Sequence, residues 1–266
     1  MALVTRSYGS VGPFALVLHG GPGAPGHMAP VARGLADSFR VLEPFQRGSG
    51  GQALTVARHV ADLHELIESR CAGARPALVG SSWGAMLALA YAAAHPQAAG
   101  PLVLIGCGTF DVAARERMQE ILATRMTDAV KTRMSALADD YSDADGRFAA
   151  MGKLLLPLYS FRLVANADIE LEKGDERAYE ESWADMLRLQ SEGVYPAAFS
   201  AIRTPILMMH GAADPHPGQM IRASLAPFLP QLVYLEWEKC GHYPWLEAEV
   251  RQEFFSLLRG WLAERL

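Results

Sequence analysis

The sequence predicts an α/β fold: a doubly wound, mostly parallel sheet interrupted by one helical insertion. Two observations carry that expectation. Through residues 1–110 and 200–266, short near-continuous apolar runs alternate with longer helical patterns. This is the rhythm of strands buried on both faces and joined by crossover helices. Between those halves, residues 111–199 hold helical patterns and no convincing strand.

Residues 2–8 read as an edge strand, joined through the Gly- and Pro-bearing turn at 9–13 to a strand at 14–18 (FALVL). Further strands are expected at 39–42 (FRVL), 77–79 (ALV), 102–105 (LVLI), 206–209 (ILMM) and 232–235 (LVYL). A helix at 53–69 collects Val56, Val60, Leu63 and Ile67 on one face, with Arg58, Asp62 and Glu65 elsewhere. The stretch 83–94 is apolar nearly all round and belongs against the sheet, and an amphipathic helix at 246–262 closes the chain. Inside the insertion, helices are expected at 113–138, 147–158 and 176–190. The domain reading is therefore a core of 1–110 with 200–266 and a helical cap of 111–199. Such a cap would lie over the carboxyl ends of the strands, where open α/β sheets bind ligands.

With 266 residues, half of them apolar, a chain of this size buries about three-quarters of its unfolded surface and needs no staple. The formal net charge of −5 and the lack of a basic patch argue against nucleic acid as a partner. No apolar run reaches membrane-spanning length, and the first twelve residues do not read as a signal segment. Cys71, Cys107 and Cys240 lack metal-type spacing, which fits free thiols in a cytoplasmic protein. Nothing in the sequence fixes an oligomeric state.

The chemistry is concentrated in four loops. Gly80-Ser81-Ser82-Trp83-Gly84 lies directly after the strand at 77–79 and directly before a helix. This G-x-S-x-G pattern fits a sharp strand-to-helix turn that exposes Ser82 as a nucleophile. His19-Gly20-Gly21-Pro22-Gly23 follows the strand at 14–18. There the Gly21 N–H, paired with the Trp83 N–H, is the candidate oxyanion hole. His19 is expected to hold that loop in shape by hydrogen bonds. Asp214 follows the strand at 206–209, and His242 follows the strand at 232–235. The order Ser, Asp, His suits an imidazole base oriented by a carboxylate. Asp111, beyond the strand at 102–105, is the rival acid.

These loops resemble the α/β-hydrolase superfamily along nearly the whole chain. The HGGPG loop, Gln46-Arg47-Gly48-Ser49-Gly50 and the GSSWG elbow are most similar to the proline iminopeptidase branch. The resemblance implies the α/β-hydrolase fold, with the helical cap inserted after the sixth strand of the family order. In that branch cap glutamates near a Trp-Glu element hold the substrate ammonium. Here Phe45 replaces the branch's aspartate before Gln-Arg-Gly, and the nearest echo of the amine site is Glu180-Glu181-Ser182-Trp183. Glu170, Glu172, Glu176, Glu180 and Glu181 read better as a solvated helix face.

The expectation is thus a serine hydrolase acting on a small ester, amide or short peptide through an acyl-enzyme on Ser82, without cofactor or metal. An iminopeptidase-type aminopeptidase, a C–C or lactone hydrolase, and a non-catalytic ligand-binding protein are the alternatives. Phe45, Tyr243 and Trp183 are substrate-pocket candidates, and Tyr159 is a further aromatic of the same kind. Trp83 and Tyr243 adjoin the reacting residues. His59 and His64 are off the spacing for shared ligation on one helix face and read as surface histidines.

Overall fold

The computed structural model describes residues 3–165, 172 and 174–266. Its centre is a seven-stranded sheet built from β1 (Thr5–Tyr8), β2 (Phe14–Leu18), β3 (Arg40–Pro44), β4 (Ala77–Ser81), β5 (Leu102–Ile105), β6 (Ile206–Gly211) and β7 (Leu232–Trp237). The spatial order is β1-β3-β2-β4-β5-β6-β7. Only the edge pair β1–β3 is antiparallel; every other neighbouring pair is parallel.

The apolar runs follow from what covers the sheet. Successive side chains point to opposite faces of a strand. Leu16, Leu18, Leu78, Leu102, Leu104 and Met208 join one core cluster, and Ala15, Val17, Ala77, Val79, Val103 and Met209 join the other. Both faces are covered, so apolar residues fill both registers along most of each strand. On the first face lie α2 (Val56–Arg70) and α3 (Trp83–Ala94); on the second lie α1 (Ala29–Leu35) and α9 (Arg251–Ala263). Helix α3 is buried from Trp83 through Ala92, which is why it shows no polar stripe.

Between β5 and β6 run α4 (Val112–Arg125), α5 (Asp128–Asp140), α6 (Ala144–Leu155) and α7 (Glu176–Ser191). The single helix expected at 113–138 is two, because Thr127 caps a new helix by accepting from the Val130 N–H at 3.3 Å. The helix expected at 246–262 starts only at Arg251, since Pro244–Leu246 forms a 3-10 turn. Helix α1 and the eight-residue α8 (Gly218–Leu225) were not anticipated; each is too short to repeat its apolar period.

Carboxylates fasten α7 to the core. Glu181 accepts the Leu54 N–H and Asp185 the Val56 N–H, both at 2.8 Å, satisfying donors at the start of α2. Asp175 accepts the Ser49 N–H at 2.7 Å. The solvated face expected for the α7 glutamates is therefore corrected at Glu181, whose carboxylate also takes Arg177. Glu172 pairs with Arg6, Glu180 is exposed, and Glu170 lies outside the described residues. Two further corrections concern α2. His59 is buried, shares a 2.8 Å hydrogen bond with Ser182 of α7 and meets the Trp83 ring edge-on at 6.0 Å. His64 is half-buried and stacks on His95 at 3.9 Å.

A second fastening lies at the other end of the insertion. The buried Glu247 carboxylate accepts the N–H groups of Phe161 (2.7 Å), Arg162 (2.6 Å) and Gly241 (2.9 Å). It ties the segment after α6 to the loop that follows β7. Replacing Glu247 by Ala takes the acceptor from three backbone donors, that of Gly241 buried, so unfolding free energy in urea is expected to fall by about 2 kcal/mol. Glu247→Gln, which keeps an acceptor oxygen, should lose less; equal losses would show that the cavity and not the stranded donors sets the cost.

Candidate active site

The turn between β4 and α3 is sharp. Ser82 sits at φ 53°, ψ −117°, a conformation that costs a non-glycine residue about 1–3 kcal/mol. Its neighbours leave no slack. A Cβ on Gly80 would lie 2.2 Å from the Gly84 carbonyl oxygen, and one on Gly84 would lie 2.1 Å from that of Leu18. Only glycines let the strand, the helix and the end of β2 cross this closely. The Ser82 N–H donates to the Ile105 carbonyl at 2.8 Å, locking the turn to the end of β5. Among the described residues the Ser82 hydroxyl itself makes no hydrogen bond.

The loop after β2 lies against this turn, since a Cβ on Gly20 would come within 2.9 Å of the Ser82 Cβ. Three hydrogen bonds hold it there. The Gln46 N–H donates to His19 Nε2 at 3.0 Å, which places the His19 proton on Nδ1, facing the Gly20 carbonyl at 3.0 Å. The Gln46 amide donates to the His19 carbonyl at 2.8 Å and accepts from the Trp83 indole at 2.7 Å. Burial pushes His19 down to about 3, so it stays a neutral connector. His27 accepts the Gly20 N–H at 3.2 Å, and burial holds it at about 4. Gly21 follows at φ 55°; among the described residues neither its N–H nor that of Trp83 is spent on a protein acceptor.

The acid and the imidazole come from the loops after β6 and β7. His242 Nδ1 lies 2.6 Å from Asp214 Oδ2, with both side chains buried. The other oxygen, Oδ1, accepts the backbone N–H and the Nδ1 of His216, each at 2.9 Å. His210 Nε2 lies 3.3 Å from Oδ2 and donates to the His216 carbonyl at 2.9 Å. Burial alone would raise the Asp214 pKa; His242, His216 and His210 reverse that and hold it well below the usual carboxylate range. His242 is lowered, first by burial and then by the two other histidines, against the pull of Asp214.

Ser82 and His242 both adjoin the end of β5. A Cβ on Gly106 would lie 2.8 Å from His242 Nδ1, and the residue before it takes the Ser82 N–H. The structure therefore brings the hydroxyl, imidazole and carboxylate loops to one place, with Asp214 and His242 in direct contact and no hydrogen bond between Ser82 and His242. The rival acid is corrected: Asp111 caps α4, accepting the Ala114 N–H at 2.8 Å.

The aromatic candidates separate. Tyr243 stands edge-on to His242 at 4.7 Å, and Trp183 of α7 meets Trp83 at 5.5 Å. Phe45 lies under the Arg6 guanidinium at 4.9 Å. It lines a surface cavity of about 930 Å³ whose walls include none of Ser82, Asp214 and His242. Two residues emerge that the sequence reading left aside from the chemistry. The Tyr159 ring lies 5.5 Å from His242, and its carbonyl accepts the His242 N–H at 2.7 Å. His216 stacks on His242 at 4.6 Å; its position two residues after Asp214 was the only signal for it. Asp214, His216 and His242 set one donor atom each within 4.8 Å of the others. Both imidazole Nδ1 atoms are already bonded to the carboxylate, so we assign no metal there.

A model described as "Alpha/beta hydrolase family" matches residues 15–254. The proline iminopeptidase of Neisseria gonorrhoeae is 38% identical over 100 residues, covering 34% of this chain and 31% of that protein, so the match spans about a third of the relative's length. That of Lactobacillus helveticus is 24% identical over 273 residues, covering 94% and 90%. Among solved structures, a putative aryl esterase from Burkholderia cenocepacia superposes with a TM-score of 0.68 at 19% identity, over 98% of this chain and 93% of that one; this likeness speaks to the fold. The match over residues 15–254 takes in the strained serine turn and the loops that carry Asp214 and His242, and the chain belongs to the alpha/beta hydrolase family.

Proposed function

We propose that the protein is a serine hydrolase that cleaves a small carboxylic ester through an acyl-enzyme on Ser82. The observation that carries this reading is the 2.6 Å bond from His242 to a buried Asp214, next to a serine held in strained geometry at a helix start. Ser82 Oγ attacks the substrate carbonyl while His242 Nε2 takes its proton. The negative oxygen of the tetrahedral intermediate is met by the Gly21 and Trp83 N–H groups and by the positive end of α3. His242 passes the proton to the leaving alkoxide, and the acyl group stays on Ser82. A water molecule then gives a proton to His242 and attacks the ester; collapse returns that proton to Ser82 and releases the acid.

Residues 111–199 act here as a cap over the carboxyl ends of the strands. Trp183 against Trp83 and Tyr159 against His242 support that placement. The fastening of Glu181, Asp185 and Asp175 to backbone N–H groups favours an ester over a peptide with a free amine, because these carboxylates are already engaged. No helix among the described residues is long and apolar enough to cross a membrane, and Cys71, Cys107 and Cys240 are free and buried; we assign the protein to the cytoplasm.

Ser82→Ala is expected to lose at least about 10³-fold in kcat on p-nitrophenyl acetate and all labelling by a fluorophosphonate probe. Labelling equal to the parent chain would remove Ser82 from the reaction. Prolyl p-nitroanilide should be turned over poorly; turnover of the anilide above the ester would instead favour the aminopeptidase. A pH expectation follows from His242. It must be neutral to accept the Ser82 proton, and its pKa is lowered. The acid limb of kcat/KM should therefore lie below the ordinary histidine value of about 6.5, and a limb above that value would contradict the assignment.

A further inference from the structure

The turn around Asp214 is built more heavily than a turn requires. An aspartate accepting the backbone N–H two residues on is an ordinary Asx-type turn, and any residue but proline can supply that donor. Here the residue is His216, and its ring adds a second donor to the same oxygen. Oδ1 receives the His216 backbone N–H and Nδ1, both at 2.9 Å, and Oδ2 receives His242 Nδ1 at 2.6 Å. The two imidazoles thus divide the carboxylate between them, and their rings lie nearly parallel, 4.6 Å apart at 21°.

We propose that His216 is a positioning residue that fixes the Asp214 carboxylate and, through it, the ring of His242 for proton transfer. The inference rests on the serine-hydrolase reading and adds to it a residue that touches none of the reacting atoms. Two consequences follow from elementary electrostatics. A carboxylate held by one backbone N–H on Oδ1 can still turn about its own bond; a second donor on that oxygen fixes its plane and so the direction in which Oδ2 faces His242. Each donor to the carboxylate also draws on its negative charge, so His216 tempers the pull of Asp214 on the His242 proton. The sign agrees with the site as a whole, where His216 acts to lower His242.

The groups around His216 come from its own loop and from four other parts of the chain. Asp214 belongs to its own loop, His210 of β6 donates to its carbonyl, and His242 after β7 stacks on its ring. Tyr159 after α6 lies 5.8 Å away, and Arg125 of α4 donates to the Ala213 carbonyl at 2.9 Å. Of these, only Asp214 is an acid.

The test compares His216→Ala and His216→Asn on p-nitrophenyl acetate. The asparagine amide nitrogen can occupy the place of Nδ1, whereas alanine leaves the backbone N–H alone. His216→Ala is expected to lose about 10-fold in kcat with KM unchanged, and its acid limb should move to higher pH as Asp214 regains its full pull on His242. His216→Asn should recover most of kcat. If His216→Ala does not fold, His216→Asn against His216→Gln reads the same point, since glutamine sets its amide one methylene too far. An activity-independent readout is the low-field proton resonance of His242 Nδ1–H, which should shift in His216→Ala and return toward its position in His216→Asn. An alanine variant with parental kcat, acid limb and resonance overturns the proposal, as does asparagine failing to restore any of them. Should Ser82→Ala stay active while the resonance still answers to residue 216, the serine mechanism falls and the positioning role stands.

Discussion

A carboxylate charge sealed away from water has to be met by donors, and the geometry of this site follows from how Asp214 is met. Its side chain is fully buried and contacts three histidines. Removing an ion from water costs several kcal/mol unless its lone pairs are filled. The donors that fill them come from the loop after β6 and from the loop after β7, with His210 at the end of β6 holding the His216 carbonyl. Satisfying one charge therefore fixes these pieces of chain relative to each other. The His242 backbone is then bound to Tyr159, and Glu247 binds the segment after Tyr159 to Gly241. His242 is held at its ring by one buried carboxylate, and the chain next to it is held by another.

The other half of the site is held by contact more than by charge. The Ser82 turn exists because three backbones cross with only hydrogen atoms between them at Gly80 and Gly84. What charge could not do there, a neutral imidazole does. His19 accepts from the Gln46 loop and donates within its own, and its burial keeps it from protonating near neutral pH. With Gln46 and Trp83 it makes a chain of buried hydrogen bonds from the β2 loop to the first residue of α3. Such a chain is stiff, because breaking any link leaves a buried polar group unmet. The Gly21 and Trp83 N–H groups sit at its two ends.

How much of this the sequence discloses depends on how local each cause is. Strands buried on both faces write their burial into consecutive residues, so β2 and β5 were placed to the residue and the others to within a few. The serine turn was legible because steric crowding demands glycine at fixed offsets. The break at Thr127, the late start of α9 and the engagement of Glu181 were not, since each depends on a partner distant in the chain or on a cap that competes with a helical period. His59 shows the difference well. Its spacing from His64 excludes a shared ligand on one helix face, but its burial comes from Trp83 and Ser182, both more than twenty residues further along the chain. The same holds for His216, whose partner Asp214 is local while the ring it stacks on is not.

The acidic residues carry a last lesson about inference from charge. Five glutamates clustered near the start of α7 invite either an ammonium site or a wet surface. Glu181 is neither, and Asp175, Asp185 and Glu247 share its use: each accepts backbone N–H groups at the junction between the insertion and the core. A carboxylate is the strongest acceptor a side chain offers, and the starts of helices and the turns between domains are where unspent N–H groups accumulate. Helices joined to a sheet through such junctions need acceptors there whatever the substrate is. The acidity of this segment therefore reports on how the helices are fastened, and the substrate has to be read from what faces Ser82.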